Sequence, residues 1–514
     1  MSFYLSAVGL ISLVTLVVVR LLAKRTVNDL PLPPGPTPVP VLGNLLAIQR
    51  DAPWLTYKEW SMIYGDLIYT RILSQDAIII NSEKVARALL EGRSSNYSDR
   101  PRFATIELFG IAFRTVFLAY GNTWRLHRRL YHQSFRADAA IQYRPMQLQK
   151  ARQLLVDLLS DPEANELEIH LQNHSASIIM SAVYDYDTQI NDPLVAIVKG
   201  VMDMVIKAET PDKAAILDAY PILTRLPAWF PGASFRRHAL HCRKYIPDMV
   251  EKPFEHVKKN MAAGTAGPSM VSESLKRIKP EDDFGQLERA IKESSATAFS
   301  AASETTYSTL LVFILQMVLN PPVQEHAQAE IDQVIGSDRL PDFSDRPSLP
   351  YIEAILRETL RFYPVAPLGI PHAAVNSDTY EGYRIPKGAT LITNHWAMSR
   401  DESKYPNASE FRPERFITES GELNDDTAMF GFGWGRRICP GRFVADASLW
   451  SAIVSMLTVF KFTKVKDGHG RDIDFEPKWT AGAASRPVKF PCRIVPRKAG
   501  MDMEKLVHLI RSAP

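Results

Sequence analysis

The chain has only three cysteines in 514 residues, at positions 242, 439 and 492. So few, odd in number and so far apart, they exclude a disulfide framework and point to a reducing compartment. Basic charge is also scarce in excess: the net charge is +3 and no lysine- or arginine-rich block stands out, which excludes a dedicated nucleic-acid binder. No repeat or low-complexity tract divides the chain, so one large domain and two fused lobes both stay open. A nucleotide fingerprint is missing too. The glycine cluster Gly431, Gly433 and Gly435 is followed by Arg436 where a dinucleotide loop needs a glycine, and no strand with a following acidic residue supports it. No close set of Cys or His surrounds Cys439, which argues against zinc.

What is present is an ordinary globular composition, with 46% apolar and 23% charged residues, and 36 prolines that point to many turns and irregular connections. The first nineteen residues carry no charge and are followed by Arg20, Lys24 and Arg25. That is close to a membrane-spanning length, and the positive charge after the apolar run is the reverse of a cleaved signal peptide. The order predicts an anchor over 1–25 with everything after it on the cytosolic side. Residues 26–46, with "PLPPGPTPVPVLGNLL" at 31–46, read as a stiff proline-rich spacer. "DLIYTRIL" and "AIIINS" then read as two strands of a hairpin. Helical patterns dominate from Glu83 onward, among them "WRLHRRLYHQSF" and a long helix over 284–320 closed by Pro321 and Pro322. A second strand-rich region, "DTYEGYRIPKGATLITNHW", precedes a long loop into "FGFGWGRRICPG", residues 430–441.

A buried structural role is the commonest fate of a lone cysteine. It does not explain the arginines beside Cys439. Soft metal ligation needs a thiolate, which is favoured by nearby positive charge and by backbone N–H groups converging on sulfur. A glycine-rich turn ending in Cys-Pro-Gly and leading into a helix offers both. Phe432, Gly435, Arg437, Cys439 and Gly441 reproduce F-x-x-G-x-R-x-C-x-G, and on this pattern the chain resembles the cytochrome P-450 family of haem-thiolate monooxygenases. "ETLR", Glu358 to Arg361, matches the family's E-x-x-R, and "FRPERF" matches the segment downstream of it, so that Glu358, Arg361 and Arg415 are expected to form a charge network.

The resemblance, which runs from about Pro33 to about Arg497, implies a mainly α fold with minor β, with haem held between the long helix and the Cys439 loop. It covers a catalytic domain over 47–500 and leaves 501–514 as a surface appendage. It implies heme b as cofactor, with Cys439 as its axial ligand and Phe432 beside it. Trp124, Arg128, His372 and Arg437 match the positions that pair with the haem propionates. Ala301, Glu304, Thr305 and Thr306 stand in register with the oxygen-binding pattern A-G-x-D/E-T-T, although Ala302 replaces its usual glycine. Glu304 and Thr305 are the expected acid and alcohol of proton delivery.

The reaction so implied inserts one atom of O2 into an apolar substrate, with electrons from NADPH. With no nucleotide fingerprint in the chain, those electrons require a separate membrane-bound NADPH–cytochrome reductase, docked on a positive surface that includes Arg125, Arg129 and Arg442. The expected substrate is a small lipophilic secondary metabolite such as a terpenoid or polyketide, bordered by 103–117, 201–226, 365–370 and 480–485. The chain is taken as a monomer, single-pass in the endoplasmic reticulum membrane. Two rivals remain at this point: a haem-thiolate isomerase or dehydratase that needs no external electrons, and a membrane-anchored haem carrier or sensor. The orientation makes a prediction of its own. Asn96, Asn173 and Asn407 each begin an N-x-S sequon, but a cytosolic domain never meets the glycosylation machinery. Mass spectrometry of the protein from its native host should find all three unmodified, and a glycan on any one reverses the topology.

Overall fold

The structure, a computed structural model, describes residues 30–512 apart from 190, 209, 210 and 337. The predicted anchor lies outside the described residues. Among the described residues the fold is mainly helical with three small sheets. Its organising helices are α1 (Asn122–Phe135), α2 (Arg144–Leu159), α3 (Leu167–Tyr184), α4 (Phe284–Leu319), α5 (Pro350–Phe362), α6 (Arg442–Val459) and α7 (Met503–Ser512). The four-stranded sheet comprises β1 (Leu67–Ile72), β2 (Gln75–Ile80), β3 (His372–Ala373) and β4 (Thr390–Thr393), in the order β1-β2-β4-β3. The predicted hairpin is β1 and β2, antiparallel with Leu67 opposite Ile80. β4 runs parallel to β2, with Ala77 opposite Thr390, so the second strand-rich region completes the sheet begun by the first.

α4 starts where the Asp283 side chain accepts the Gln286 N–H at 3.0 Å, and it ends at Asn320 before the two prolines. Its 36 residues span about 54 Å at 1.5 Å each. Small residues on its first half, among them Ser294, Ser295, Ala296 and Ser300, are fully or almost fully buried and let α3 approach closely. Ser175 of α3 donates to the carbonyl of Ala302 at 2.9 Å, at the position where the family usually has glycine. Its last turns, residues 310–319, are apolar apart from Gln316 and pack with α6 around Trp450, Phe313 and Phe462. α4 and α6 are the described helices long and apolar enough to cross a membrane, but 67% and 72% of their most apolar windows are buried in the fold, which makes them core helices.

Two expectations need correction. The proline-rich stretch, where described, lies against the sheet instead of standing free: the Pro34 carbonyl accepts the Tyr69 N–H at 3.0 Å and the Pro31 carbonyl accepts that of Arg384 at 2.8 Å. A Cβ on Gly35 would come within 1.9 Å of the Tyr69 carbonyl oxygen, so the approach requires glycine. The end of the chain is not a loose appendage either, because α7 buries Leu506 completely and packs Leu509 and Ile510 against the main core beside α2.

The E-x-x-R pair is wholly buried. Glu358 binds Arg361 through two bonds of 2.6 and 2.8 Å, Arg415 at 3.2 Å and the Arg412 N–H at 2.7 Å. Arg361 also donates to the carbonyls of Ser399, Ala408 and Glu410, tying α5 to the segment that leads into the cysteine loop. Removing the carboxylate strands two guanidiniums in low dielectric. Glu358→Ala should therefore cost about 3–5 kcal/mol, read as a lowered unfolding midpoint of the apoprotein, whereas Glu414→Ala on the exposed side of the same segment should cost far less.

Candidate active site

Cys439 stands just before α6, whose N-cap is Gly441, so the positive end of the helix dipole faces its sulfur. The backbone N–H groups of Gly441 and Arg442 favour the thiolate form of the sulfur, and the Cys439 N–H donates to the Phe432 carbonyl at 2.8 Å, closing the loop on itself. Gly435 has φ +54°, and a Cβ there would come within 2.0 Å of the Leu90 carbonyl oxygen, so this glycine lets the loop press against the 87–91 turn. Burial pushes the thiol up. The N–H groups and the guanidiniums of Arg128 and Arg442 pull it down without fully offsetting burial. A coordinated cation supplies the missing charge and deprotonates a thiol outright. Cys242 and Cys492 are different: both are buried among apolar side chains, and burial alone pushes Cys492 up to about 12. Among the described residues no cluster of three His, Cys, Asp or Glu could hold a metal, so Cys439 would act as a single protein ligand.

Arg437 is buried and donates to the carbonyls of Ser98 (2.7 Å), Leu118 (2.8 Å) and Thr115 (3.4 Å). Its guanidinium stacks 4.6 Å from the ring centroid of buried Trp124, and that of Arg128 lies 5.9 Å from the same ring. Arg128 donates to the Ile438 carbonyl at 2.7 Å, which binds α1 to the residue before the cysteine. Sequence reading missed a third cation. Arg100, also buried, donates to the carbonyls of Val116, Ile370 and Pro371 at 2.6–2.9 Å. "SDRPRF" reads as a polar loop, and no local pattern separates its buried arginine from the exposed one two residues later.

Burial lowers the proton affinity of all three arginines, and like charge lowers it further: Arg437 acts on Arg100, Arg128 on Arg437 and Arg442 on Arg128. The carboxylate that offsets Arg100 and Arg437 is that of Asp99, which is engaged by the N–H groups of Arg100 and Tyr120. The buried guanidiniums of Arg100 and Arg437 and the half-buried one of Arg128, set against the one carboxylate of Asp99, leave two positive charges unmatched, which fits the two propionates of a haem beside a cysteine ligand.

His372 is not a solvated loop residue, as a lone loop histidine is expected to be, but sits buried on β3 opposite Leu391. Its Nδ1–H donates to the Tyr97 carbonyl at 2.7 Å, since that partner can only accept. Burial first, and the Arg100 charge second, hold the ring neutral well below the usual histidine range. Its Nε2 would carry a proton only with an anion facing it.

The structure does not bring Glu304 and Thr305 into contact with each other. The Thr305 hydroxyl donates back to the Ala301 carbonyl at 3.1 Å and the residue is exposed. The Glu304 carboxylate, about 100° around α4 from it, accepts from Arg486 at 3.0 Å and from the Tyr307 hydroxyl at 3.1 Å. Burial raises this carboxyl above its ordinary range even against the Arg486 charge. α4 is linked to the arginine cluster by Thr115, whose N–H donates to Thr297 at 3.2 Å while its carbonyl accepts from Arg437.

A family model described as Cytochrome P450 matches residues 33–490. Similar proteins include Cytochrome P450 monooxygenase claR of Ampulloclitocybe clavipes, 37% identical over 98% of this chain and 92% of the relative. Cytochrome P450 monooxygenase COX1 of Coprinopsis cinerea is 36% identical over 92% and 93%, and Tryptamine 4-monooxygenase of Psilocybe cyanescens is 34% identical over 95% and 97%.

Four variants check the site. Cys439→Ser should abolish the strongly red-shifted band of the reduced, carbon monoxide-bound protein, while Cys242→Ser and Cys492→Ser keep it. Arg100→Gln should keep that band and lose haem to apomyoglobin about 10- to 100-fold faster, as expected for one lost charge-assisted contact of about 1.5–3 kcal/mol.

Proposed function

The chain belongs to the cytochrome P450 family and is an oxygen-incorporating haem-thiolate oxidoreductase, and from that premise we propose that it hydroxylates a small lipophilic secondary metabolite with electrons from a separate NADPH-dependent reductase. The observation that carries this reading is the Cys439 loop set beside three inward-lying arginines that have only the Asp99 carboxylate between them. Haem bound there supplies the activation of O2, so that one atom enters the substrate and the other leaves as water. The protein's own residues hold, dry and proton-supply the site.

Cys439 ligates from the amino end of α6, and Arg100, Arg128 and Arg437 take the propionate charges. The apolar borders support a lipophilic substrate: Phe103 and Phe117 meet edge to face at 6.4 Å, and the 365–370 segment is joined to the 480–485 turn by the Ser485 N–H on the Val365 carbonyl. The activity in the name of one relative, tryptamine 4-monooxygenation, supports a small substrate, with an aromatic metabolite as one member of the class. Exposed Arg125 and Arg129 on α1 offer positive charge for a reductase, with Arg442 beside the cysteine carbonyl. The charge order of the first 25 residues supports anchorage in the endoplasmic reticulum membrane, with the domain in the cytosol.

Thr305 carries the proton step. Its hydroxyl, bonded now to a helix carbonyl, needs only a χ1 rotation to exchange that partner for a proton donor, and Glu304 on the next position is the acid in reach of the same helix turn. Thr305→Ala should leave haem content and the substrate-induced spectral change intact while NADPH consumption continues and ends as hydrogen peroxide. General acid–base assistance is worth about 100- to 10,000-fold, and water entering the methyl-lined gap reduces the loss. Full product yield per NADPH in Thr305→Ala rules the relay out, and loss of substrate binding moves Thr305 to recognition.

A further inference from the structure

Arg486 reaches the relay acid from 182 residues away, and its position is fixed at every point. Its N–H donates to the Thr480 hydroxyl at 3.1 Å and its carbonyl accepts the Thr480 N–H at 2.9 Å. Ser485, fully buried beside it, shares a hydrogen bond of 2.9 Å with the Tyr363 hydroxyl and donates to the Thr480 carbonyl at 2.7 Å. The 480–486 turn is thus closed on itself and riveted to the end of α5, with its small residues at the tip. From this base the guanidinium spans two helices: it binds Glu304 of α4 at 3.0 Å and Glu168 of α3 at 3.2 Å, and lies 5.4 Å from the Tyr307 ring centroid. One cation therefore serves two carboxylates and a phenol ring. Glu168 is the more exposed of the two carboxylates and opens the group to water, while the Glu304 side chain is only 20% exposed.

We infer that Arg486 is a positioning residue for the proton relay, holding the Glu304 carboxylate at the rim of α4, where it exchanges protons with water, until it turns to Thr305. The inference rests on the relay reading of Glu304 and Thr305. Its chemistry is one proton moved twice: the Glu304 carboxyl gives a proton to the Thr305 oxygen, Thr305 passes on its own, and the carboxylate left behind is received again by Arg486. A free carboxylate in this half-buried place would stay protonated, since burial disfavours the charged form. Arg486 and the Tyr307 hydroxyl oppose that, and the charges on Glu168 and on Asp203 reinforce it. Arg486 thus sets how readily the acid gives up its proton.

The test is infrared titration of the full-length holoenzyme, following the carboxyl C=O band that Glu304→Gln removes, together with product formed per NADPH across pH. Arg486→Gln removes the nearest positive charge and should move the midpoint upward by about one to three pH units, with the product-per-NADPH profile moving the same way. Arg486→Lys keeps the charge and should restore the midpoint. Glu168→Gln removes a like charge from a half-exposed position and should move it downward, which keeps the test valid if Arg486→Gln fails to fold. A midpoint that ignores both Arg486→Gln and Glu168→Gln overturns the inference. So does a midpoint that moves while the product profile does not, in an enzyme that Thr305→Ala still uncouples. If Thr305→Ala and Glu304→Gln both keep full product yield, the relay itself fails, and a moving midpoint then reports an ion pair at the rim and nothing more.

Discussion

Drawing more positive charge into the interior than its one carboxylate, Asp99, offsets is the constraint on which the rest of this structure depends. Arg100, Arg128 and Arg437 sit where a guanidinium is costly, and each is kept there by carbonyl oxygens from segments that have no regular secondary structure of their own. The carbonyls come from Ser98, Thr115, Val116, Leu118, Ile370, Pro371 and Ile438. Loops that would otherwise owe their backbone groups to water thus converge on one point, and the arginines organise them as much as they are organised. A carbonyl dipole solvates a cation but does not neutralise it, so the cluster remains poised for anions.

The same bookkeeping applied to Glu358 gives the opposite sign. There one carboxylate meets two guanidiniums and a backbone N–H, with the remaining donors of Arg361 spent on carbonyls. That network has little capacity left for a ligand, and its geometry serves to fix the approach to the cysteine loop. Two buried arginine clusters in one fold thus do different work. What separates them is whether the charges close among themselves.

How much of this was legible in sequence follows from the range of each interaction. The long helix, the cysteine loop and the E-x-x-R pair were readable because their parts lie within one helix, one turn or ten residues, where spacing alone fixes which side chains meet. The hairpin of β1 and β2 was readable for the same reason, with a short polar turn between β-rich runs. Arg100 and Arg486 were not. Their partners lie up to 271 and 318 residues away, and an arginine in a polar stretch has the same local pattern whether it ends in water or under a helix. The docking of Leu506 escaped notice likewise, since a short amphipathic helix at a chain end does not show whether another surface waits for it. The proline-rich stretch lies along the edge of β1, a partner that only the folded sheet supplies.

The placement of Glu304 shows why an adjacent pair in sequence need not be a pair in space. Successive residues on a helix point about 100° apart, so an acid and an alcohol side by side cannot both face one small volume in one rotamer set. One of them must turn. The hydroxyl is held only by a carbonyl of its own helix turn, a bond that rotation about χ1 breaks and remakes at little cost. The carboxylate is held by a cation anchored in another part of the chain. In the relay proposed above, a weakly held alcohol and a firmly held acid would divide the labour: the first would sample the site, and the second would fix when a proton is available to it. A direct hydrogen bond between the two would lack that property, because it would leave the acid with no reason to return to the water-facing rim after each transfer.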